Sequence, residues 1–169
     1  ALRAVRQATQ SAFPERGGQV QVEPFGSYIA GLGTGESDID VVLVGLAEPS
    51  SSLGFYSRDE RPRVSRMLDR LIPHLRYSMR LTKLIPIRHS RVPIIKLSTD
   101  EGVCVDISIS GMSGPRAAEY IRKQVALFPA LRPLVLVLKS FMKAEGLGEV
   151  VNGGLSSYGL TFMTIAHLM

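Results

Sequence analysis

Three groups of polar residues in otherwise apolar surroundings stand out along this chain for the chemistry they could carry. Gly26-Ser27 is followed, across the glycine-punctuated stretch 26–35, by Ser37-Asp38-Ile39-Asp40 at the head of the run Val41-Val42-Leu43-Val44. Side chains at i and i+2 of an extended strand project to one face, so Asp38 and Asp40 present two carboxylates side by side. Like charges held this close raise the pKa of one partner unless a divalent cation sits between them. Hard carboxylate oxygens suit Mg2+, or Mn2+ in its place. Gly26 lets the backbone approach a phosphate closely, Ser27 adds a hydroxyl, and a short helix at about 28–31 is expected to aim N–H groups at that anion. Taken alone, Asp-x-Asp at a strand start also fits a solvated strand edge.

Asp106 is the second group, set among Val105, Ile107 and Ile109. An isolated carboxylate buried there would cost roughly several kcal/mol. A neighbouring strand that brings it beside Asp38 and Asp40 makes three carboxylates. That is a cradle for two metal ions, which activate an attacking hydroxyl and stabilise a leaving pyrophosphate. The alternative is a polar strand residue facing solvent with Ser108 and Ser110. The third group is Lys139 and Lys143, spaced i, i+4 on one helix face. They form a fork for a polyphosphate or, the better reading on spacing alone, two snorkelling surface lysines.

His74, His89 and His167 are scattered without ligand spacing. The single Cys104, flanked by valines, reads as a small buried hydrophobe and excludes an internal disulfide framework.

The elements that must position these groups can be read from periodicity. Residues 1–12 read as a helix with Leu2, Val5 and Ala8 on one face, stopped by Pro14 and Gly17-Gly18. Residues 19–24 alternate Val20 and Val22 with polar neighbours, which is strand patterning. Residues 38–44 read as a strand buried on both faces, and 47–57 as a serine-rich loop. Residues 61–72 form an amphipathic helix with Val64, Met67, Leu68, Leu71 and Ile72 inward and Arg63, Arg66 and Arg70 outward. Pro73 is expected to end or kink it. Strands at 92–97 and 103–109 are joined by the turn Thr99-Asp100-Glu101-Gly102. From Pro115 the pattern turns helical, at 116–127, 133–144 and 156–169. The fold class is therefore α/β (α+β), with a mixed sheet and flanking helices giving way to an all-helical piece.

The chain has 169 residues, of which 45% are hydrophobic and 21% charged, with a net charge of +5. That composition supports a real core and excludes disordered and low-complexity classes. The charge is uneven: residues 1–57 carry −3, 58–96 carry +8, 97–115 carry −3 and 116–169 carry +3. A basic segment beside two acidic ones suits a polyanion surface next to carboxylates that need a cation, or a solvated helix face. The run from Arg58 to Lys96 lacks interleaved aromatics beyond Tyr77, so it implies no more than non-specific phosphate contact. The two most apolar windows, 131–142 and 158–169, are far short of the ~18 residues a membrane span needs. No secretory h-region opens the chain, so a soluble, intracellular protein without membrane contact is expected. A start at Ala1 and a stop at Met169 inside an apolar run suggest an excerpt of a longer protein.

Five motifs, in order, carry a resemblance over essentially the whole chain. They are Phe25-Gly26-Ser27, Ser37-Asp38-Ile39-Asp40, Val92-Pro93-Ile94-Ile95-Lys96-Leu97, Val105-Asp106-Ile107-Ser108 and Gly153-Gly154-Leu155-Ser156-Ser157-Tyr158. Together they resemble the noncanonical poly(A) polymerases, template-independent terminal nucleotidyltransferases of the DNA polymerase β superfamily. The spacing from Leu138-Lys139 through Gly148-Glu149-Val150 to Gly153-Gly154 is most similar to the TRAMP-type branch, which tails nuclear RNAs for exosome decay.

The resemblance implies a helix at 1–18 belonging to a central domain, a catalytic nucleotidyltransferase palm at 19–115, and the start of a helical central domain at 116–169. It also implies addition of AMP from ATP to RNA 3′ ends, with UTP as the alternative donor. Less favoured are a small-molecule acceptor and an inactive RNA-binding scaffold. Asp38, Asp40 and Asp106 become the metal-binding triad, Asp106 promoting deprotonation of the 3′-hydroxyl. Gly26, Ser27 and Lys139 become triphosphate contacts, with Lys143 one turn on. Ser156 or Ser157 caps the last helix, and Tyr158 stacks on the base, a core tyrosine being the alternative for Tyr158. A zinc-knuckle RNA-binding partner and a nuclear location follow from the TRAMP-type relatives. The sequence departs from the pattern where relatives carry Asn after the third Asp, since Ser110 and Ser113 stand there. The segment that distinguishes ATP from UTP is expected beyond Met169.

Overall fold

The computed structural model describes residues 1–35, 37–52, 54–148 and 153–169. Glu149 and Val150, part of the subfamily spacing, lie outside the described residues. The chain divides into two compact units. One comprises Ala1–Phe25 with Asp38–Pro115, the other Gly26–Ser37 with Arg116–Met169.

The first unit is built on five strands: β1 (Gln21–Phe25), β2 (Ile39–Val44), β3 (Leu81–Ile87), β4 (Ile94–Thr99) and β5 (Cys104–Ile109). Their order is β1-β2-β5-β4-β3. Only β2 and β5 run parallel; the other neighbours are antiparallel, so the sheet is mixed. The parallel pair sits at the centre, where apolar residues cluster. Val41, Leu43, Ile95, Leu97, Val105, Ile107 and Ile109 share one face and are almost wholly buried.

That face is covered by α1 (Leu2–Ala12) and α3 (Arg61–Ser78). In α1, Val5, Ala8 and Ala12 recur at helical spacing and are buried, while Val64, Leu68, Leu71 and Leu75 make the matching stripe on α3. Alternation along the strands turns Asp40, Lys96 and Asp106 to the opposite face. As expected, β4 and β5 form a hairpin over Thr99–Gly102, closed by Gly102 N–H to the Thr99 carbonyl at 3.1 Å.

Residues 1–18, which the resemblance assigns to a central domain, pack here in the sheet-bearing unit, because the apolar stripe of α1 faces α3 and β1. Two expectations need correcting, and one strand was not foreseen. Pro73 does not end α3, which continues to Ser78. Burial of Leu71 and Leu75 on either side holds the helix together despite the missing N–H. Residues 81–87 form a strand that the sequence hides. β3 is an edge strand, and its exposed Lys83 and its Pro86 break the apolar alternation. Finally, the short helix α2 (Gly26–Ile29) starts at Gly26 itself rather than after Ser27.

The second unit contains α2, α4 (Ser113–Leu127), α5 (Leu131–Ala144) and α6 (Ser157–Leu168). α4 begins three residues before that stretch of the unit does. Its core is a separate cluster of Ala30, Leu32, Ile121, Leu131, Val135 and Ile165. Among the described residues no single helix is long and apolar enough to cross a membrane.

Candidate active site

Register places the carboxylates. β2 and β5 are parallel with Asp40 opposite Asp106, and β4 pairs with β5 so that Lys96 lies opposite Asp106 on its other side. Hydrogen-bonded strands lie about 4.8 Å apart, so Asp40, Asp106 and Lys96 stand in a row across the sheet, with Asp38 two residues before Asp40. Lys96 Nζ lies 2.7 Å from Asp106 Oδ2 and 3.7 Å from Asp38 Oδ2. The structure thus brings all three sequence-selected aspartates together and adds a lysine that the sequence reading had assigned to a basic run.

The electrostatics follow from burial on a sheet whose other face is dry. Asp40 is pushed up to about 6, first by desolvation and then by the neighbouring charges of Asp106 and Asp38. Asp106, with its side chain only 19% exposed, is also raised. There the loss of water outweighs the hydrogen bond from Lys96. Lys96 is raised in turn, chiefly by its hydrogen bond to Asp106.

Two desolvated carboxylates, Asp40 and Asp106, with the more exposed Asp38 beside them, form a hard-oxygen donor set that a divalent cation would relieve, so the residues fit Mg2+ or Mn2+ in their chemistry. In the present side-chain arrangement no three His, Cys, Asp or Glu side chains among the described residues close around a common point. The Lys96 ammonium, not an oxygen cage, bridges Asp38 and Asp106.

The remaining sequence-selected residues lie in the second unit. Gly26 adopts φ 75°, a left-handed conformation that disfavours any side chain, which explains glycine at this turn from strand to helix. Leu32 N–H returns to the Ser27 carbonyl at 2.9 Å, folding residues 27–32 into a tight loop. That loop is pinned by α5: Lys139 Nζ donates to the Leu32 carbonyl at 3.0 Å, and Arg132 Nε donates to the Gly31 carbonyl at 3.0 Å. Burial pulls the Lys139 ammonium below its ordinary range. Lys143 follows one turn along α5.

Ser156 caps α6 by accepting the Gly159 N–H at 3.0 Å. Ser157 instead uses its carbonyl, which accepts from Thr161 Oγ1 at 2.7 Å. Tyr158 is 57% exposed, so it is no core tyrosine. Its ring lies 4.7 Å from Phe162, which in turn stacks on Tyr120 at 5.8 Å. The sequence reading missed Phe162 and Tyr120; the i, i+4 spacing of Tyr158 and Phe162 was the available signal.

Part of the basic run serves its own fold. Arg70 pairs with Glu15 at 2.7 Å and Arg88 with Asp69 at 2.7 Å, while Arg61 donates to the Tyr56 carbonyl. Arg58, Arg66 and His89 join Arg61 and Arg88 along a groove of about 450 Å3 beside α3. That is the sheet side facing away from the carboxylates.

Asp38 stands just before the central strand β2, Asp40 lies on it and Asp106 lies on its parallel neighbour, in a mixed sheet whose fold is that of nucleotidyltransferase polymerase cores. Solved structures agree on the fold. A terminal uridylyl transferase from Trypanosoma brucei with bound GTP matches with a TM-score of 0.82 over 99% of this chain and 50% of that one, at 22% identity, a likeness of fold alone. The polymerase core of TRAMP, an RNA surveillance complex, matches with a TM-score of 0.72 and 30% identity over 99% of this chain and 47% of that one.

Residues 1–123 match the family model of the poly(A) RNA polymerase, mitochondrial-like, central palm domain, and the chain belongs to that family. A poly(A) RNA polymerase of Cryptococcus neoformans is 33% identical over 155 residues, 89% of this chain and 18% of that protein. An inactive non-canonical poly(A) RNA polymerase protein of Drosophila melanogaster is 31% identical over 172 residues, 99% of this chain and 38% of that protein. The chain spans well under half the length of these two relatives.

Proposed function

We propose that the protein of which this chain forms part is a template-independent RNA 3′-terminal nucleotidyltransferase that adds AMP from ATP. The observation that carries the reading is the register that sets Asp40 opposite Asp106, with Asp38 two residues away on the same face. In such a transfer the RNA 3′-hydroxyl oxygen bonds to the α-phosphorus, the α–β phosphoanhydride bond breaks, and pyrophosphate leaves. Asp38, Asp40 and Asp106 would hold Mg2+ or Mn2+, which when bound supplies Lewis-acid stabilisation of the phosphoryl oxygens. Asp106 promotes loss of the hydroxyl proton. Gly26 and Ser27 bind the triphosphate, with Lys139 and Lys143 contributing positive charge. The exposed Tyr158 ring, backed by Phe162, offers a stacking surface for the base.

The Drosophila relative whose name calls it inactive keeps a second reading in play, an RNA-binding scaffold on the same fold. All three aspartates and Ser27 are retained here, which favours the enzyme. Supplying the full-length protein with each of the four nucleoside triphosphates and either an RNA primer or a non-RNA acceptor separates the readings. Extension of RNA with ATP is the expected result. Extension with UTP instead changes the donor, and none with any triphosphate favours the scaffold.

A further inference from the structure

Lys96 has no role in the transfer as just described, yet it stands on the carboxylate face directly beside Asp106. Its backbone is fixed from behind, because Ile95 and Leu97 on either side are buried in the core of the opposite face. The alternation of β4 therefore commits the Lys96 side chain to the aspartates. Its ammonium reaches Asp106 at 2.7 Å and Asp38 at 3.7 Å, using oxygens on two of the three acids that a divalent cation would need.

We propose that Lys96 is a resident counter-cation of the triad. Its ammonium bridges Asp38 and Asp106 in the metal-free protein and must leave them when the divalent ion enters, so it weakens metal binding while keeping the empty site folded. The inference rests on reading Asp38, Asp40 and Asp106 as the metal-holding residues. Without Lys96 the three carboxylates face one another with no positive charge among them, which raises the attraction for a divalent cation and destabilises the metal-free state. Lys96 acts here as a positioning residue, through the aspartates rather than on the substrate.

The test uses full-length protein without nucleotide, with free Mn2+ followed by electron paramagnetic resonance. Lys96→Met should bind Mn2+ roughly tenfold more tightly than wild type. Its melting temperature in chelator should fall below wild type and recover more than wild type does when Mn2+ is added. Lys96→Arg, which keeps the charge, should stay near wild type. Lys96→Gln provides the same comparison with a polar side chain if Lys96→Met does not fold. Unchanged or weaker Mn2+ affinity in the neutral variants overturns the proposal. Mn2+ binding that survives Asp38→Ala combined with Asp106→Ala overturns the metal-site reading itself, and this inference with it, a result distinct from the first.

Discussion

Asp40 is held in the fold at an energetic disadvantage. Its carboxyl is pushed up to about 6 by burial beside two other acids, so in the absence of a cation its charge opposes folding. Asp40→Asn keeps the shape and removes the charge. In chelator it should therefore be more stable than wild type, by about 1–2 kcal/mol, measured by urea denaturation at neutral pH. A loss of stability would mean that Asp40 is already satisfied by its neighbours. Of the residues around it, the aspartates were legible in the sequence because i, i+2 spacing and apolar flanks are local signals. Lys96 was not, because what gives it meaning is its strand register opposite Asp106, a contact that no local pattern encodes.

Elements announced themselves where one face is buried and one is not. The α3 stripe and the strands of the β4–β5 hairpin were readable on that basis. β3 was not, since an edge strand carrying Pro86 and Lys83 lacks the alternation that a central strand must have. The continuation of α3 through Pro73 was hidden for a related reason, the tertiary burial of Leu71 and Leu75 overriding the local breaker. Pro73 is itself exposed, and an interior proline costs about 3 kcal/mol relative to alanine. Pro73→Ala should thus raise the urea midpoint, by the equivalent of about 1–3 kcal/mol. A lowered midpoint would show that the ring contributes packing of its own.

The start of the same helix depends on Glu60, which accepts from Ser50 N–H, Ser50 Oγ and Ser57 N–H. These bonds, the one from Ser50 Oγ foremost, hold its carboxyl down at about 2. A folded-state value below the unfolded one means stability that is present above about pH 4.3 and is lost as pH falls toward 2. Wild type should be more stable than Glu60→Gln at neutral pH, with the difference fading across that acid range in thermal melts. A difference that stays constant with pH would contradict the assignment.

At the scale of the molecule, the sequence showed a sheet-bearing part followed by a helical part, and the structure redraws the partition. α1 joins the sheet, while residues 26–37, inserted between β1 and β2, join the helices. Two separate cores account for this: Val5, Ala8 and Ala12 belong to one, and Ala30 and Leu32 to the other. Apolar periodicity shows that a helix has a buried face; it does not show which core receives it.

The uneven charge resolves in a similar way. Arg61, Arg70 and Arg88 of the basic segment serve local contacts, and Lys96 serves the aspartates. The central question is whether those aspartates support nucleotide transfer. The direct measurement is extension of an RNA primer by the full-length protein with ATP and Mg2+, comparing wild type with Asp40→Asn and Asp106→Asn, and with Lys83→Ala on β3 as a control. The account predicts extension by wild type and Lys83→Ala, and a loss on the order of a thousandfold or more in both aspartate variants. Extension at the wild-type rate by either aspartate variant would contradict it.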